Sequence, residues 1–236
     1  MRRETDIARD LIAWFEKGEL DDRRYLGHEG PWEIFQEVET PEGPIDIVLR
    51  GVRNGAEILH GIEVKSRLSF DLLDQATKKR KYFHRMSIAY PGALRVGHHR
   101  SNYIRPSVDA LADYIGIGII LMNNITIAVR RSSDKNVEVV IPLWDGHRDT
   151  CEAGSCGKAR WTFWKQAIIE IDKVIAEHPN GLRPRDLILK LPREFQKRIK
   201  PRNLGTWYRK NISLVKDSIG SWKKIDGKVY IVKADF

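Results

Sequence analysis

The sequence predicts an α/β protein in which helices flank a mixed central β-sheet, followed by a smaller basic domain. Helical and strand-like periods alternate through residues 5–144, and such alternation is typical of α/β domains. Residues 1–157 hold 22 Lys and Arg against 24 Asp and Glu, whereas residues 158–236 hold 19 against 8. The net charge of +11 in this last third favours a polyanionic partner over a merely solvated basic surface.

Each predicted element follows from a local pattern. A helix over 5–18 has Thr5 or Asp6 as a cap, apolar residues at helical spacing and Gly18 at its end. Further helices are predicted over 71–85 and 106–114. Alternating or continuously apolar runs predict strands at 32–40, 44–51, 56–66, 86–91, 116–122, 125–131 and 137–144.

A polar segment rich in Gly and Ser, residues 145–160, predicts a linker between a domain at 1–144 and a domain at 161–236. His147, Cys151 and Cys156 lie in this segment. A zinc site would need a fourth ligand or a water, so we favour a mobile linker with free thiols over a metal site.

Several classes of protein are disfavoured. The most apolar run, 114–122, is too short to span a bilayer, and the first ten residues lack the apolar core of a signal peptide. Two cysteines are too few for a disulfide framework, which fits a reducing compartment. We therefore expect a soluble protein of the cytoplasm, associated with the nucleoid or, if viral, present in the host cytoplasm.

The dipeptide Asn54-Gly55 is a strong signal for a two-residue hairpin loop. With that loop, the numbers of paired residues add to 109, so Asp46 faces Glu63. Lys65 lies two residues further along the same strand face. A β-bulge would shift this register by one residue.

Two carboxylates directly opposite each other destabilise a sheet, and apolar flanking residues indicate burial, which raises that cost. A divalent cation would remove the conflict, and Mg²⁺ prefers such oxygen ligands. Bound metal lowers the pKa of a water and neutralises phosphoryl charge, while Lys65 could orient the water or stabilise the transition state. The alternative is a surface pair of Glu63 and Lys65 beside an unrelated Asp46.

The stretches "GPID" at 43–46 and "IEVKS" at 62–66 resemble the signature of the PD-(D/E)xK nuclease superfamily, which has the restriction-endonuclease-like fold. Ile-Asp stands where Pro-Asp is usual, and "EVK" matches the second half of the signature. The following "DQATKKRKY" supplies Gln75 and Tyr82, similar to the Gln-bearing helix of RecB-like and VRR-type nucleases. The resemblance covers roughly residues 1–130.

This resemblance implies a metal-dependent deoxyribonuclease that uses Mg²⁺, with Mn²⁺ able to substitute. It implies that Asp46, Glu63 and the carbonyl of Val64 ligate the metal. By the same resemblance Lys65 is catalytic, and Gln75 helps to position the water, the metal or the phosphate.

Members of the superfamily often add a glutamate from the first helix or the preceding strand. The candidates are Glu4, Glu37 and Glu39. We favour Glu39, which stands at the end of the predicted preceding strand, as a further catalytic residue.

The basic run at 78–85 follows Gln75 on the same predicted helix, where Gln75, Lys79 and Tyr82 share a face. As a group, these charges are expected to contact DNA phosphates, which position a duplex without reading its sequence. The DNA-contacting residues predicted here are Lys78, Lys79 and Tyr82.

The basic third predicts helices over 161–179, 183–191 and 201–212, then a hairpin over 221–232. This order is the winged-helix arrangement, a variant of helix-turn-helix. With Asp226-Gly227 as the loop, paired residues add to 453. The predicted DNA contacts are Arg202, Arg209 and Lys210 on the third helix and Lys223, Lys224 and Lys228 on the wing. The alternative, a winged helix for protein–protein contact, fits the positive charge less well.

Two functions follow from these patterns. The leading one is a metal-dependent DNA endonuclease that hydrolyses phosphodiester bonds and is anchored by the winged helix. The second is a catalytically inactive DNA-binding regulatory or recombination-accessory protein on a nuclease fold. The expected partner is DNA rather than a membrane, and a homodimer is left open.

Overall fold

The computed structural model describes residues 2–17, 29–92, 106–122, 127–130, 134, 136–137, 140–149, 151–154, 161–211, 218, 220–225 and 228–233. The chain divides into two compact units, Met1–Trp161 and Thr162–Phe236. None of the helices in these described ranges is long and apolar enough to cross a membrane.

In its described part, the first unit contains a six-stranded sheet whose strand order follows the chain. The strands are β1 (Glu29–Val38), β2 (Ile45–Arg53), β3 (Ala56–Val64), β4 (Arg85–Pro91), β5 (Gly118–Met122) and β6 (Ile127–Arg130). The pairs β3–β4 and β4–β5 are parallel, and the other neighbouring pairs are antiparallel. The prediction of an α/β unit with a mixed sheet is therefore confirmed.

Helices lie against this sheet in two apolar clusters. The helices are α1 (Glu4–Lys17), α2 (Phe70–Lys79), α3 (Pro106–Ile115) and the single turn α4 (Gly146–Asp149). One cluster joins Ile7 and Leu11 of α1 to Ile62 of β3, and the other joins Leu72 of α2 to Ile88 of β4. The alternation of side chains along each strand therefore gives every central strand one face toward α1 and one toward α2.

The hairpin of β2 and β3 has the predicted register. Its pairs run from Arg53 with Ala56 to Ile47 with Ile62. Asn54 and Gly55 have φ values of +51° and +74°, as a tight hairpin turn of mirror-image type requires. The local turn sequence thus determines which residues face each other across these strands.

Two predicted elements differ from the structure. The strand predicted over 137–144 is wrong for its described residues, 137 and 140–144, none of which is in a strand. Pro142 lacks the N–H that a central strand must donate. The helix predicted over 71–85 ends at Lys79 and continues as a 3₁₀ turn, Arg80–Tyr82.

The described residues of the expected linker, 145–149 and 151–154, belong to the first unit. The backbone N–H of Ala153 donates to Oε1 of Gln36 on β1 at 3.0 Å, and Ala153 and Cys151 are buried. This part of the polar segment therefore packs onto the sheet. It contributes apolar side chains, and its backbone N–H groups donate hydrogen bonds to side chains of β1.

The second unit, as described, contains four helices followed by a hairpin. These are α5 (Phe163–Ala176), α6 (Pro184–Lys190), α7 (Arg193–Arg198), α8 (Pro201–Asn211), β7 (Gly220–Ile225) and β8 (Lys228–Lys233). The short helix α7 was not predicted. The pairing of Trp222 with Ile231 has the predicted register. Leu182, between α5 and α6, exchanges two backbone hydrogen bonds of 3.0 Å with Ile231.

Candidate active site

Asp46 and Glu63 lie side by side on the α2 face of the sheet. They occupy the next register positions after the pair of Ile47 and Ile62, and they are only 8% and 2% exposed. Oδ2 of Asp46 accepts a hydrogen bond of 2.7 Å from the backbone N–H of Val64. The two carboxyl groups predicted to face each other are thus neighbours in a buried environment.

Burial raises the pKa values of both carboxyl groups. Burial raises the pKa of Glu63 to about 8, and the nearby charge of Asp46 adds to the rise, while Lys79 and Lys65 oppose it. Burial also raises the pKa of Asp46, although the hydrogen bond from Val64 acts in the other direction. Ionising both carboxyl groups at once is therefore costly unless a cation lies beside them.

Lys79 provides such a cation, a role that the sequence analysis missed. Its side chain is buried on α2, and its Nζ contacts both Oε1 of Glu63 and the carbonyl oxygen of Pro44. The prediction that Lys79 contacts DNA therefore does not fit its described position. The available signal is its spacing, because Lys79 follows the buried Leu72 and Ala76 by seven and three residues.

Lys65 lies just beyond the end of β3 and reaches a different partner. Its Nζ donates to Oε2 of Glu4, at the start of α1, over 3.1 Å, and both side chains are about 30% exposed. Partial burial lowers the pKa of Lys65, but Asp46, Glu4 and Glu63 together raise it above its usual value. Lys65 is therefore a cation at neutral pH, suited to contact an anion rather than to accept a proton.

The three candidate glutamates lie in different environments. Glu4 contacts Lys65. Glu37 is buried with a φ of +51°, and its Oε1 accepts a hydrogen bond of 2.9 Å from the N–H of Gly154. Glu39, the favoured candidate, is half-buried directly after β1, and its catalytic role stays a prediction. Glu4 is thus placed by a direct contact with a predicted site residue.

Gln75 is half-buried on α2, one helical turn before Lys79. Residues four apart share a helix face. Because Lys79 contacts Glu63, Gln75 lies on the face of α2 that is turned toward the carboxylate pair. This placement is compatible with its predicted positioning role.

The other residues expected to contact DNA near this site lie in different environments. Lys78 is exposed and pairs with Asp74 at 2.5 Å. Tyr82 is buried, and its hydroxyl donates to the carboxylate of Glu42. The expectation of a DNA contact therefore does not fit Tyr82, whereas Lys78 remains accessible.

The donors at the carboxylate pair fit a hard divalent cation. Asp46 and Glu63 supply carboxylate oxygens, and the carbonyl of Val64 faces the same neighbouring strand as its N–H. Within the described ranges, no group of three or more His, Cys, Asp or Glu side chains is arranged to hold a metal ion. Mg²⁺ usually takes one or two carboxylates and retains several waters. Two carboxylates and one carbonyl are therefore enough protein ligands of the right chemical type.

In the segment that holds His147, Cys151 and Cys156, the described residues contact other groups. His147 is fully buried, burial lowers its pKa to about 4, and its Nδ1 accepts from the N–H of Trp144. Sγ of Cys151 accepts from the N–H of Trp161 at 2.9 Å. Cys156 lies outside the described residues.

In the second unit, three predicted DNA-contacting residues lie on one face of α8. Arg202, Arg209 and Lys210 are exposed, whereas Leu204 and Tyr208 are buried on the opposite face. The backbones of Lys223, Lys224 and Lys228 lie in β7 and β8, and their side chains are outside the described part. The basic residues of α8 therefore lie on its solvent-exposed face.

A comparison with models of known protein families finds none that matches the chain, and a comparison with curated proteins finds no significant match.

Proposed function

We propose that the chain is a metal-dependent DNA endonuclease that hydrolyses phosphodiester bonds, with its active site in a first unit of restriction-endonuclease-like fold. The observation that carries this proposal is the buried pair of Asp46 and Glu63 beside the charged Lys65. Two buried carboxyl groups with raised pKa values are costly in a sheet, and groups with such shifted pKa values cluster at functional sites.

In this proposal, Asp46, Glu63 and the carbonyl of Val64 would hold Mg²⁺ or Mn²⁺. The bound cation would supply a water of lowered pKa and neutralise part of the phosphate charge. Lys65 would place its ammonium against a nonbridging phosphate oxygen, where negative charge grows in the transition state. Glu4 holds that ammonium now through a contact of 3.1 Å, and Gln75 would orient the attacking water.

The second unit would anchor the chain to DNA as a winged helix. Its order of helices and hairpin supports this proposal, as does the net charge of +11 over 158–236. Arg202, Arg209 and Lys210 would contact phosphates or base edges from the exposed face of α8. The lysines of β7 and β8 would contact the adjacent backbone.

Plasmid cleavage tests the catalytic part of the proposal. The full chain should cut supercoiled DNA with Mg²⁺ or Mn²⁺ and not in EDTA. Asp46→Ala and Lys65→Ala should each slow cleavage by at least about 100-fold, while binding to labelled duplex in EDTA persists. Matched controls are Asp74→Ala and Lys173→Ala, which change exposed residues that pair with Lys78 and Glu170.

Unchanged cleavage in both site variants would overturn the assignment. The form of the product adds further information, because a single site produces nicked circles whereas two cooperating copies produce linear DNA. A homodimer would therefore appear as linear product together with a dimeric mass in solution.

A second candidate function is a DNA-binding protein on the same fold that does not cut. The contact of Lys79 with Glu63 favours this candidate, because a buried ammonium can replace a metal ion as the counter-charge. Duplex binding without cleavage across Mg²⁺, Mn²⁺, Co²⁺ and Ca²⁺ would identify it.

A further inference from the structure

The second unit contains a groove of about 350 Å³ that the catalytic proposal does not use. The groove lies between the start of α5, the end of α7 and the first two turns of α8. Its lining residues are Trp164, Arg198, Ile199, Lys200, Arg202, Asn203, Leu204 and Trp207. Its volume lies within the usual range of small-ligand sites, about 300–1,000 Å³.

Two tryptophans form the aromatic part of the groove. The ring centroids of Trp164 and Trp207 are 5.0 Å apart, with planes tilted by 46°. Trp164 remains 37% exposed despite this contact. An indole that lines an open groove offers a flat apolar face to a planar ligand.

Three cations surround these rings. Arg198, Lys200 and Arg202 are exposed, and within the described ranges none of them forms an ion pair with a carboxylate. Among the described residues of the second unit, no acidic residue lines the groove. The guanidinium of Arg198 lies 3.9 Å from the ring centroid of Phe163, a cation–π contact that restrains this side chain.

We propose that this groove binds an unpaired nucleotide of a DNA strand. The base stacks on Trp164 and Trp207, and the flanking phosphates contact Arg198, Lys200 and Arg202. Aromatic platforms beside a basic track are the features by which proteins bind single-stranded nucleic acid. A paired base exposes only its edge in the grooves of a duplex, so stacking requires an unpaired base.

The inference rests on the proposed DNA binding of the second unit and names the substrate class as DNA with a single-stranded segment. It does not depend on cleavage. DNA with a flap, an overhang or a fork would thus place its duplex on α8 and its unpaired strand in the groove.

Anisotropy titrations of the full chain in EDTA test this inference with a labelled 12-residue oligo-dT and a blunt 12-base-pair duplex. Trp164→Leu should weaken oligo-dT binding by roughly 5- to 150-fold and duplex binding by less than about 2-fold. Trp164→Phe should retain most of the affinity, because it keeps an aromatic face. Leu189→Ala changes an exposed apolar residue of α6 and should leave both affinities unchanged.

The cations have a separate readout. In Arg198→Ala/Lys200→Ala, the slope of log K against log salt for oligo-dT should fall by about 1.4, because each lost phosphate contact removes about 0.7. Far-ultraviolet circular dichroism and thermal melting of every variant establish that it is folded. If a variant melts at a clearly lower temperature than the unaltered protein, the affinities of Trp164→Phe and Trp164→His are compared instead.

Three results would overturn the inference. The first is an oligo-dT affinity that is unchanged in Trp164→Leu. The second is an equal loss of duplex and oligo-dT affinity in that variant. The third is competition by a 12-residue poly-Glu peptide that is as strong as competition by oligo-dT. If oligo-dT binds through Trp164 but no metal supports cleavage, the inference stands and the nuclease proposal fails. If cleavage depends on Asp46 but oligo-dT binding does not depend on Trp164, the nuclease proposal stands and the inference fails.

Discussion

The ammonium of Lys79 contacts the carboxylate of Glu63 inside the first unit, where the two side chains are 5% and 3% exposed. Removing two charges from water is costly, and their attraction compensates only where the remaining polar atoms are also satisfied. Lys79 meets this condition through its second contact, with the carbonyl of Pro44. The pair thus offsets the repulsion between Glu63 and Asp46.

Replacing Lys79 by methionine should destabilise the metal-free protein. At pH 9, above the pKa of about 8 that Glu63 has beside Lys79, Lys79→Met should lower the free energy of unfolding by about 3–5 kcal/mol. Without the ammonium, the buried carboxyl group either stays ionised without a cation or must take up a proton from solution, and both are costly. Urea unfolding in EDTA measures this. Lys78→Met is the matched control, because Lys78 is exposed and its loss should cost less than about 1 kcal/mol.

The double variant Lys79→Met/Glu63→Gln should recover most of that loss, since it removes the uncompensated charge as well. Equal stability of Lys79→Met and the unaltered protein at pH 9 would contradict a stabilising role for the ion pair.

The stability of the metal-free protein should depend on pH through Glu63. Its pKa is raised to about 8 in the folded state, so the folded protein keeps a proton that the unfolded chain releases near pH 4.5. This contribution is therefore fully present below about pH 4.5 and is lost as pH rises toward 8, by at most about 1.4 kcal/mol per pH unit.

Glu63→Gln isolates this contribution, because a glutamine resembles the protonated acid at every pH. The free energy of unfolding of the unaltered protein minus that of Glu63→Gln should decline between pH 5 and pH 8 in urea titrations with EDTA. A difference that stays constant, or that grows with pH, would show that Glu63 does not carry the raised pKa.

Binding of Mn²⁺ should follow the proposed ligands. Isothermal calorimetry should find one ion per chain, with affinity at least about 10-fold weaker in Asp46→Asn. In Lys79→Met, affinity should rise, because the ammonium no longer competes for Glu63. Asp74→Asn, an exposed acid on α2, is the control, and equal affinities in all four proteins would contradict the proposed site.

A second cluster of charged residues lies at the turn end of the β2–β3 hairpin, opposite the end that holds the carboxylate pair. Arg85 is fully buried and contacts Asp134, which also pairs with Arg53 at 2.5 Å. Burial alone would raise the pKa of Asp134, but the hydrogen bonds from Arg85 and Arg53 hold it at about 2. Its contribution is therefore present above about pH 4 and is lost as pH falls toward 2.

Asp134→Ala should lower the free energy of unfolding at pH 7 by about 1–3 kcal/mol, because the buried guanidinium of Arg85 loses an acceptor. Chemical denaturation measures this, with the exposed Asp71→Ala on α2 as the control. A loss for Asp134→Ala no larger than that for Asp71→Ala would mean that Arg85 is satisfied elsewhere.

The sequence predicted the carboxylate pair because its geometry is local. Asn54 and Gly55 determine the turn, the turn determines the register, and the register places Asp46 opposite Glu63. No contact from a distant segment is needed for this inference. The same reasoning predicted the pairing of Trp222 with Ile231.

The partners of the pair depend on docking, which local patterns do not contain. The basic run around Lys79 predicts a DNA contact, although the spacing of Lys79 matches the buried stripe of α2. Glu4 reaches Lys65 only because α1 packs on the other face of β3, 61 residues away in sequence. A positive φ at Glu37 likewise changes which neighbour that carboxylate meets.

The two hydrogen bonds between Leu182 and Ile231 have a consequence for the order of synthesis. The β2–β3 hairpin closes through contacts among residues 45–64 and can form soon after they leave the ribosome. The segment before α6 instead acquires its strand partner only after residue 231 has emerged, 49 residues later. Until then, the apolar side chains that pack against β8 stay exposed, so the second unit is most open to chaperones and proteases during that interval.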